Sequence, residues 1–394
     1  MELERIQAEL KKAELDGWLF YDFHNRDAIA YRVLGLDFGK FTSRRWWYYI
    51  PAEGEAQKLA HKVEPRKLDG LPGTKTLYLS WKELHESLGR MLSGAKRVAM
   101  QYSPEASIPY VSTVDGGTVD LIRAQGVEVV SSADLVQTFE AIIDEAGYQS
   151  HVEAGEKMQR IKNEAFAKVE AMVKAGEQLT EYELQQFIVA RYEEEGLDCM
   201  KEFPIVGVDD HPADPHFEPT PENSRVLAPG QCLLIDLWAK LAKPGSIFYD
   251  ITWCGYLGKN PPEEYVKIFG VVRDARQAAL AFVRQRFANG EDCFGYEVDD
   301  ACRKVVDEAG YGEFFIHRTG HSIGEEVHGN GVHIDNLETR DERRLVPGIC
   351  FSLEPGIYLP GKMAVRSEID VFITSAGEVV VAGAEQQDLI LMDF

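Results

Sequence analysis

Apolar positions near the start of the chain recur in two rhythms. Leu3, Ile6, Leu10 and Ala13 repeat at helical spacing, and Gly17 ends that helix. Trp18-Leu19-Phe20-Tyr21 follows as a strand. Trp46–Ile50 reads as another strand, residues 82–92 as a helix and Arg97–Met100 as a third strand. A helix around residues 119–124 precedes the strand Val127–Val130. Strands alternating with helices predict an α/β domain over residues 1–150, built on a mostly parallel sheet. No Gly-x-Gly-x-x-Gly follows any of these strands, so no phosphate-cradling loop is expected.

Past a boundary near residues 148–152 the pattern changes. A long charged helix is predicted over residues 153–174. Thr180-Glu181-Tyr182-Glu183 is a capping box that opens a helix with Leu184, Phe187 and Ile188 inward. Pro261-Pro262 starts another helix, with Ile268, Val272, Ala275, Ala279 and Phe282 on its buried face, and Asn289-Gly290 ends it. A helix over residues 298–308 stops at Gly310. Two apolar runs follow each helical region, and each run carries a carboxylate. Asp236 ends one and Asp250 opens the next; Glu354 ends a third, and Glu368 lies within the run of residues 364–373. Fourteen residues separate the carboxylates in both pairs. Two helix-helix-hairpin halves facing each other would bring all four together, so residues 151–394 read as an α+β domain with pseudo-twofold symmetry.

Composition narrows the class. A chain of 394 residues exceeds what one core usually holds, which supports two domains. The net charge of −23 argues against nucleic acid or an anionic membrane as partner. No apolar run approaches the about 18 residues of a membrane span. Glu2-Leu3-Glu4-Arg5 lacks the basic and apolar parts of a signal peptide. The six cysteines, Cys199, Cys232, Cys254, Cys293, Cys302 and Cys350, form no Cys-x-x-Cys and read as reduced thiols of a cytoplasmic protein.

The carboxylates carry the chemistry. An acid within an apolar strand is costly unless it is paired or binds metal. His317 to His328 adds three histidines, with Gly320 and Gly324 bracketing His321. His317 and His321 have zincin spacing, but Arg318 stands where that motif needs Glu, and the glycines oppose a helix. One imidazole ligand, His321, is therefore expected; a turn with exposed histidines is the plain alternative. Four carboxylates and one imidazole suit hard divalent cations, Mn²⁺, Co²⁺ or Fe²⁺, with Zn²⁺ also able to bind.

Gly320-His-Ser-Ile-Gly324, Glu354-Pro-Gly-Ile-Tyr358 and Arg366-Ser-Glu368 resemble, in order, motifs of the prolidase and Xaa-Pro aminopeptidase family, the M24 metallopeptidases of pita-bread fold. The resemblance implies a creatinase-type N-terminal domain and two divalent metal ions, Mn²⁺ first, held by Asp236, Asp250, His321, Glu354 and Glu368. It implies that Glu354 takes the proton of the attacking water and that His328 steadies the tetrahedral intermediate. His216 would contact substrate near the scissile bond, and Arg366 would orient substrate or order a ligand carboxylate. Arg340 stands where dipeptide-cleaving relatives bind the substrate carboxylate, although Arg343 and Arg344 lie close by. The implied activity is hydrolysis of a small proline-containing peptide by a homodimer, as an Xaa-Pro dipeptidase in preference to an aminopeptidase. A metal-free creatinase-like hydrolase and a binding protein on the same fold are the rival classes. Three departures touch the pocket: Lys240 to Gly245 lengthens a hairpin, and Trp238 and Trp253 replace a small residue and an arginine.

Overall fold

A computed structural model describes residues 2–393 and divides the chain into two compact units, Met1–Glu140 and Ala141–Phe394. The division lies upstream of the expected 148–152. The reason is the long helix, which begins at Glu145, where the Asp144 side chain accepts the N–H of Gly147, and runs to Ala175.

The first unit holds a six-stranded sheet, in the order Thr74–Tyr78, Gln57–His61, Trp46–Pro51, Gly17–Asp22, Arg97–Met100, Glu128–Ser131. The sheet is mostly parallel, as expected, with one exception: Trp46–Pro51 runs antiparallel to both of its neighbours, and the other three pairings are parallel. Gln57–His61 and Thr74–Tyr78 have too few apolar residues to read as strands. The sheet order explains this. Thr74–Tyr78 is an edge strand, and an edge strand half open to water needs no apolar run. Helix Ala28–Leu34, capped by Asp27, also escapes the periodicity because it is only seven residues long.

The second unit repeats one plan. Helices Glu145–Ala175 and Glu181–Glu195 precede the antiparallel strands Ile205–Val208, Cys232–Leu241 and Tyr249–Tyr256. Helices Glu263–Asn289 and Gly295–Glu308 precede Ser322–Ile323, Cys350–Leu353, Ile369–Ile373 and Val379–Ala382, again antiparallel. The capping box at Thr180 forms as expected: Thr180 Oγ1 accepts the Glu183 N–H at 3.1 Å, and Glu183 returns a carboxylate to the Thr180 N–H at 2.8 Å. Each half buries an apolar layer between its helices and strands. Met158, Ile161 and Ile188 pack with Leu233, Ile235 and Ile251 in one; Ile268, Val272 and Val298 pack with Phe351 and Val371 in the other.

The equal fourteen-residue gaps hide different paths. Asp236 and Asp250 are joined by a hairpin. Between Glu354 and Glu368 the chain makes a separate two-stranded ribbon, Gly356–Leu359 with Met363–Arg366. The run expected through Glu368 is therefore broken at Ser367 and Glu368, which lie between strands.

A candidate metal centre between the two halves

Register places the first two carboxylates. Asp236 pairs with Thr252 and Asp250 with Trp238 across the same ladder. Directly opposed residues share a face, and so do residues two apart along a strand. Asp236, Asp250, Thr252 and Trp238 therefore point to one side. In the second half, Leu353 pairs with Ile369, so Glu354 and Glu368 flank the end of that ladder. The halves meet where the Glu368 N–H donates to the Thr252 carbonyl at 3.2 Å and Thr252 Oγ1 donates to Glu368 Oε2 at 2.8 Å.

Backbone bonds bring His321 to the same place. The Ser352 N–H donates to the His321 carbonyl, the Glu354 N–H to the Thr319 carbonyl, and the His321 N–H to Ser352 Oγ. Gly320 is required by closeness alone: a Cβ there would stand 1.9 Å from the Ser352 carbonyl oxygen. Asp250, His321 and Glu368 each offer a ligand atom within 4.8 Å of the others. His321 Nε2 lies 3.3 Å from Glu354 Oε1 and 3.6 Å from Asp250 Oδ2.

The protonation pattern fits a cation. His321 Nδ1 donates to the Ser322 carbonyl at 3.2 Å, so in the neutral ring Nε2 turns a lone pair toward two carboxylates. Burial holds the His321 pKa below its ordinary value. Burial, and then the charges of neighbouring carboxylates, push Asp250 and Glu368 well above theirs. Asp236 Oδ1, Asp250 Oδ1 and Glu368 Oε1 are buried with no hydrogen-bond partner. Lone pairs facing carboxylate oxygens repel, and unpaired buried oxygens are costly. A divalent cation relieves both, so this donor set fits the metal expected of it.

Arg366 has a fixed task. It is buried and donates to Asp236 Oδ2, to Thr252 Oγ1 at 3.1 Å and to the Tyr358 hydroxyl at 2.9 Å. Tyr358 in turn donates to His317 Nε2 at 2.7 Å, since His317 Nδ1 gives its proton to the Arg318 carbonyl. This arrangement favours the ordering of a ligand carboxylate over direct contact with substrate.

The remaining expected residues divide. The His328 ring stands edge-on to His321, 4.4 Å between centroids, and the charge of His321 is the first cause lowering its pKa. His216 is exposed, and its charge also bears on His328. Arg340 does not join the cluster. It is exposed, pairs with Glu342 at 3.3 Å and lies over the Tyr296 ring. The neighbouring Arg343 is folded inward onto Asp341. Trp238 shares the carboxylates' face, whereas Trp253 faces away, beneath the Lys162 ammonium 3.3 Å from its ring. A pocket of about 300 Å³ adjoins His328, lined also by Met200, Glu202, Phe248, Glu326 and Val327.

Residues 153–375 match the family described as metallopeptidase family M24. The chain belongs to this family. A probable dipeptidase PepE from Mycobacterium bovis is 29% identical over 271 residues, 69% of this chain and 66% of that protein, so the match spans just under two thirds of the relative. An Xaa-Pro dipeptidase from Lactobacillus helveticus is 32% identical over 173 residues, 44% of this chain and 42% of it. The solved dipeptidase PepE from Mycobacterium ulcerans superposes with a TM-score of 0.71 at 23% identity, covering 100% of this chain and 97% of that one, which establishes the pita-bread fold of the family.

Sequence reasoning gave no role to Thr252, Tyr358, His151 and Asp370, and weighed His317 only as a zincin ligand. Asp370 was visible in principle: it is a second acid in the apolar run that holds Glu368. His151 fell at the expected domain boundary, where no periodicity drew notice to it.

Proposed function

We propose that the chain is a dinuclear metal-dependent peptidase that hydrolyses Xaa-Pro bonds, with dipeptides as its substrates. Asp236, Asp250, His321, Glu354 and Glu368 would hold the two divalent ions. The observation that carries this reading is the buried set of oxygens and one imidazole lone pair that face each other unsatisfied. When bound, such ions polarise a peptide carbonyl and acidify water. Mn²⁺ is the first choice for an oxygen-rich set with one nitrogen.

The chain's own groups supply the rest. Glu354 Oε1 accepts from Ser352 Oγ at 3.1 Å, which fixes the carboxylate that takes the water's proton. His328, beside His321, would donate to the developing oxyanion, and His216, whose charge bears on His328, would contact substrate near the scissile bond. Arg366 orients Asp236 through its bond to Oδ2. The pocket beside His328 is at the small end for ligand sites, and Met200, Phe248 and Val327 give it apolar walls. A small dipeptide suits it better than a long peptide. Preference for dipeptides therefore rests on this pocket and on the PepE relatives, not on Arg340.

Six buried thiols without a disulfide support a reducing, cytoplasmic setting. Exposed Leu77 on the edge strand of the first unit's sheet, with exposed Leu79 and Trp81 just after that strand, supports a homodimer. The deciding experiment gives the purified protein Mn²⁺ with an Xaa-Pro dipeptide, an Xaa-Pro tripeptide and a dipeptide lacking proline. Cleavage of the first alone is expected. Cleavage of the tripeptide alone makes the protein an aminopeptidase. Activity that survives chelation points to the metal-free class, and no hydrolysis across the panel points to a binding protein.

A further inference from the structure

Asp250 is the second residue of its strand, close to the loop, whereas Asp236 sits mid-strand with pairing on both sides. A ligand at a strand's first turn needs another means of being held. Three consecutive residues leading into it are gripped from behind the site. The Phe248 carbonyl accepts the His151 Nδ1 proton at 2.6 Å. The Tyr249 hydroxyl accepts from Gln159 and donates to the Ala382 carbonyl, both at 2.9 Å. The Asp250 N–H donates to Asp370 Oδ2 at 2.8 Å.

His151 and Asp370 are themselves neighbours, with Nε2 3.7 Å from Oδ2, and both are buried. Since His151 Nδ1 donates to a carbonyl, its Nε2 is free to accept, and Cys350 Sγ lies 4.0 Å away as a thiol donor. The ring thus ties helix Glu145–Ala175 to the Asp250 strand and to strand Cys350–Leu353. Asp370 reaches the same strand from Ile369–Ile373. The peptide units on both sides of Tyr249 are therefore fixed by side chains that belong to other elements, and the second half of the fold fixes a ligand of the first.

We propose that Asp370 and His151 are positioning residues that aim the Asp250 carboxylate at the metal ions. The proposal rests on the metal-site reading above. Neither residue belongs to the cluster of Asp250, His321 and Glu368, so neither is offered as a ligand. Partners that orient ligands typically change metal affinity about 10–100-fold when removed. Asp370→Asn keeps an oxygen for the Asp250 N–H; Asp370→Ala does not. His151→Phe keeps the ring volume and loses the bond to the Phe248 carbonyl.

The test is Mn²⁺ titration calorimetry on the full-length protein and these three variants, with circular dichroism as the check of folding. Asp370→Ala and His151→Phe are expected to bind at least one ion about 10–100-fold more weakly. Asp370→Asn is expected to recover most of that loss, and KM for a dipeptide at saturating Mn²⁺ is expected to stay at the wild-type value. Wild-type affinity in Asp370→Ala overturns the proposal. Should that variant not fold, wild-type affinity in His151→Phe overturns it, as does a loss in Asp370→Asn as large as in His151→Phe. A wild-type protein that takes up no Mn²⁺ defeats the metal-site reading instead.

Discussion

The second unit buries two groups of acids, and they are built differently. Around Asp299, every oxygen has a donor: Arg303 Nε at 2.7 Å, the Thr319 N–H at 2.9 Å, the Thr319 hydroxyl and the Asn336 N–H. Asp341 is likewise filled by Arg343 and the His333 N–H, and Asp335 by three backbone N–H groups and Thr339. Around His321, Asp236, Asp250 and Glu368 each leave an oxygen unpartnered. Both groups are buried acids beside a histidine-rich loop. Satisfaction separates them: the first group is complete as folded, and the second, even with Arg366 on Asp236, leaves three oxygens for a cation. What marks the second group is several left-over oxygens gathered about one imidazole, not burial alone.

The largest effect that tests this contrast is on catalysis. Glu354→Gln should lower kcat by about 10²–10⁴ while the protein stays folded, the range for loss of a general base. Steady-state kinetics with an Xaa-Pro dipeptide measures it, and a kcat within a few-fold of wild type would remove Glu354 from the chemistry.

Stability should separate the two groups by sign. Asp299→Ala takes the acceptor from the Thr319 and Asn336 N–H groups and from the half-buried Arg303, and should destabilise by about 1–3 kcal/mol. Asp250→Asn should instead stabilise the chelated protein, by about 1–3 kcal/mol, because it removes charge from an uncompensated cluster. Melting curves in chelator decide between these signs. Equal destabilisation by both substitutions would erase the distinction.

Acid should reach the wall behind the site. Burial lowers the His151 pKa from 6.5 to about 4. The unfolded chain then binds this proton first, so stability is lost as pH falls through the window from about 6.5 to about 4. One group shifted this far accounts for about 3 kcal/mol. His151→Phe should flatten that part of the stability profile, measured by denaturant unfolding at stepped pH.

The smallest effect belongs to Arg340. An exposed pair such as Arg340 with Glu342 is worth about 0–1 kcal/mol, so Arg340→Ala should change KM for a dipeptide by less than about fivefold. A larger rise in KM would return Arg340 to the substrate site.

The same contrast explains what could be read before the structure. The five candidate ligands and the paired helix-helix-strand plan were legible because each lies in a local pattern: an acid at the edge of an apolar run, a histidine between glycines, a heptad-like buried face. The edge strand Thr74–Tyr78 was not legible, since exposure spares it the apolar run that marks a strand. The arginine for a substrate carboxylate was not legible, because three arginines share one short loop and spacing alone does not say which turns inward. Asp370 and His151 were missed for another reason. Their meaning lies in a contact between residues more than two hundred positions apart, and no local pattern records it.

Diffraction from crystals grown with Mn²⁺, recorded for anomalous scattering, tests the central claim most directly. Two peaks among Asp236, Asp250, His321, Glu354 and Glu368 are predicted, with none at Asp299, Asp335 or Asp341. A map without a peak at the first group, from protein that cleaves its dipeptide under the same conditions, would contradict it.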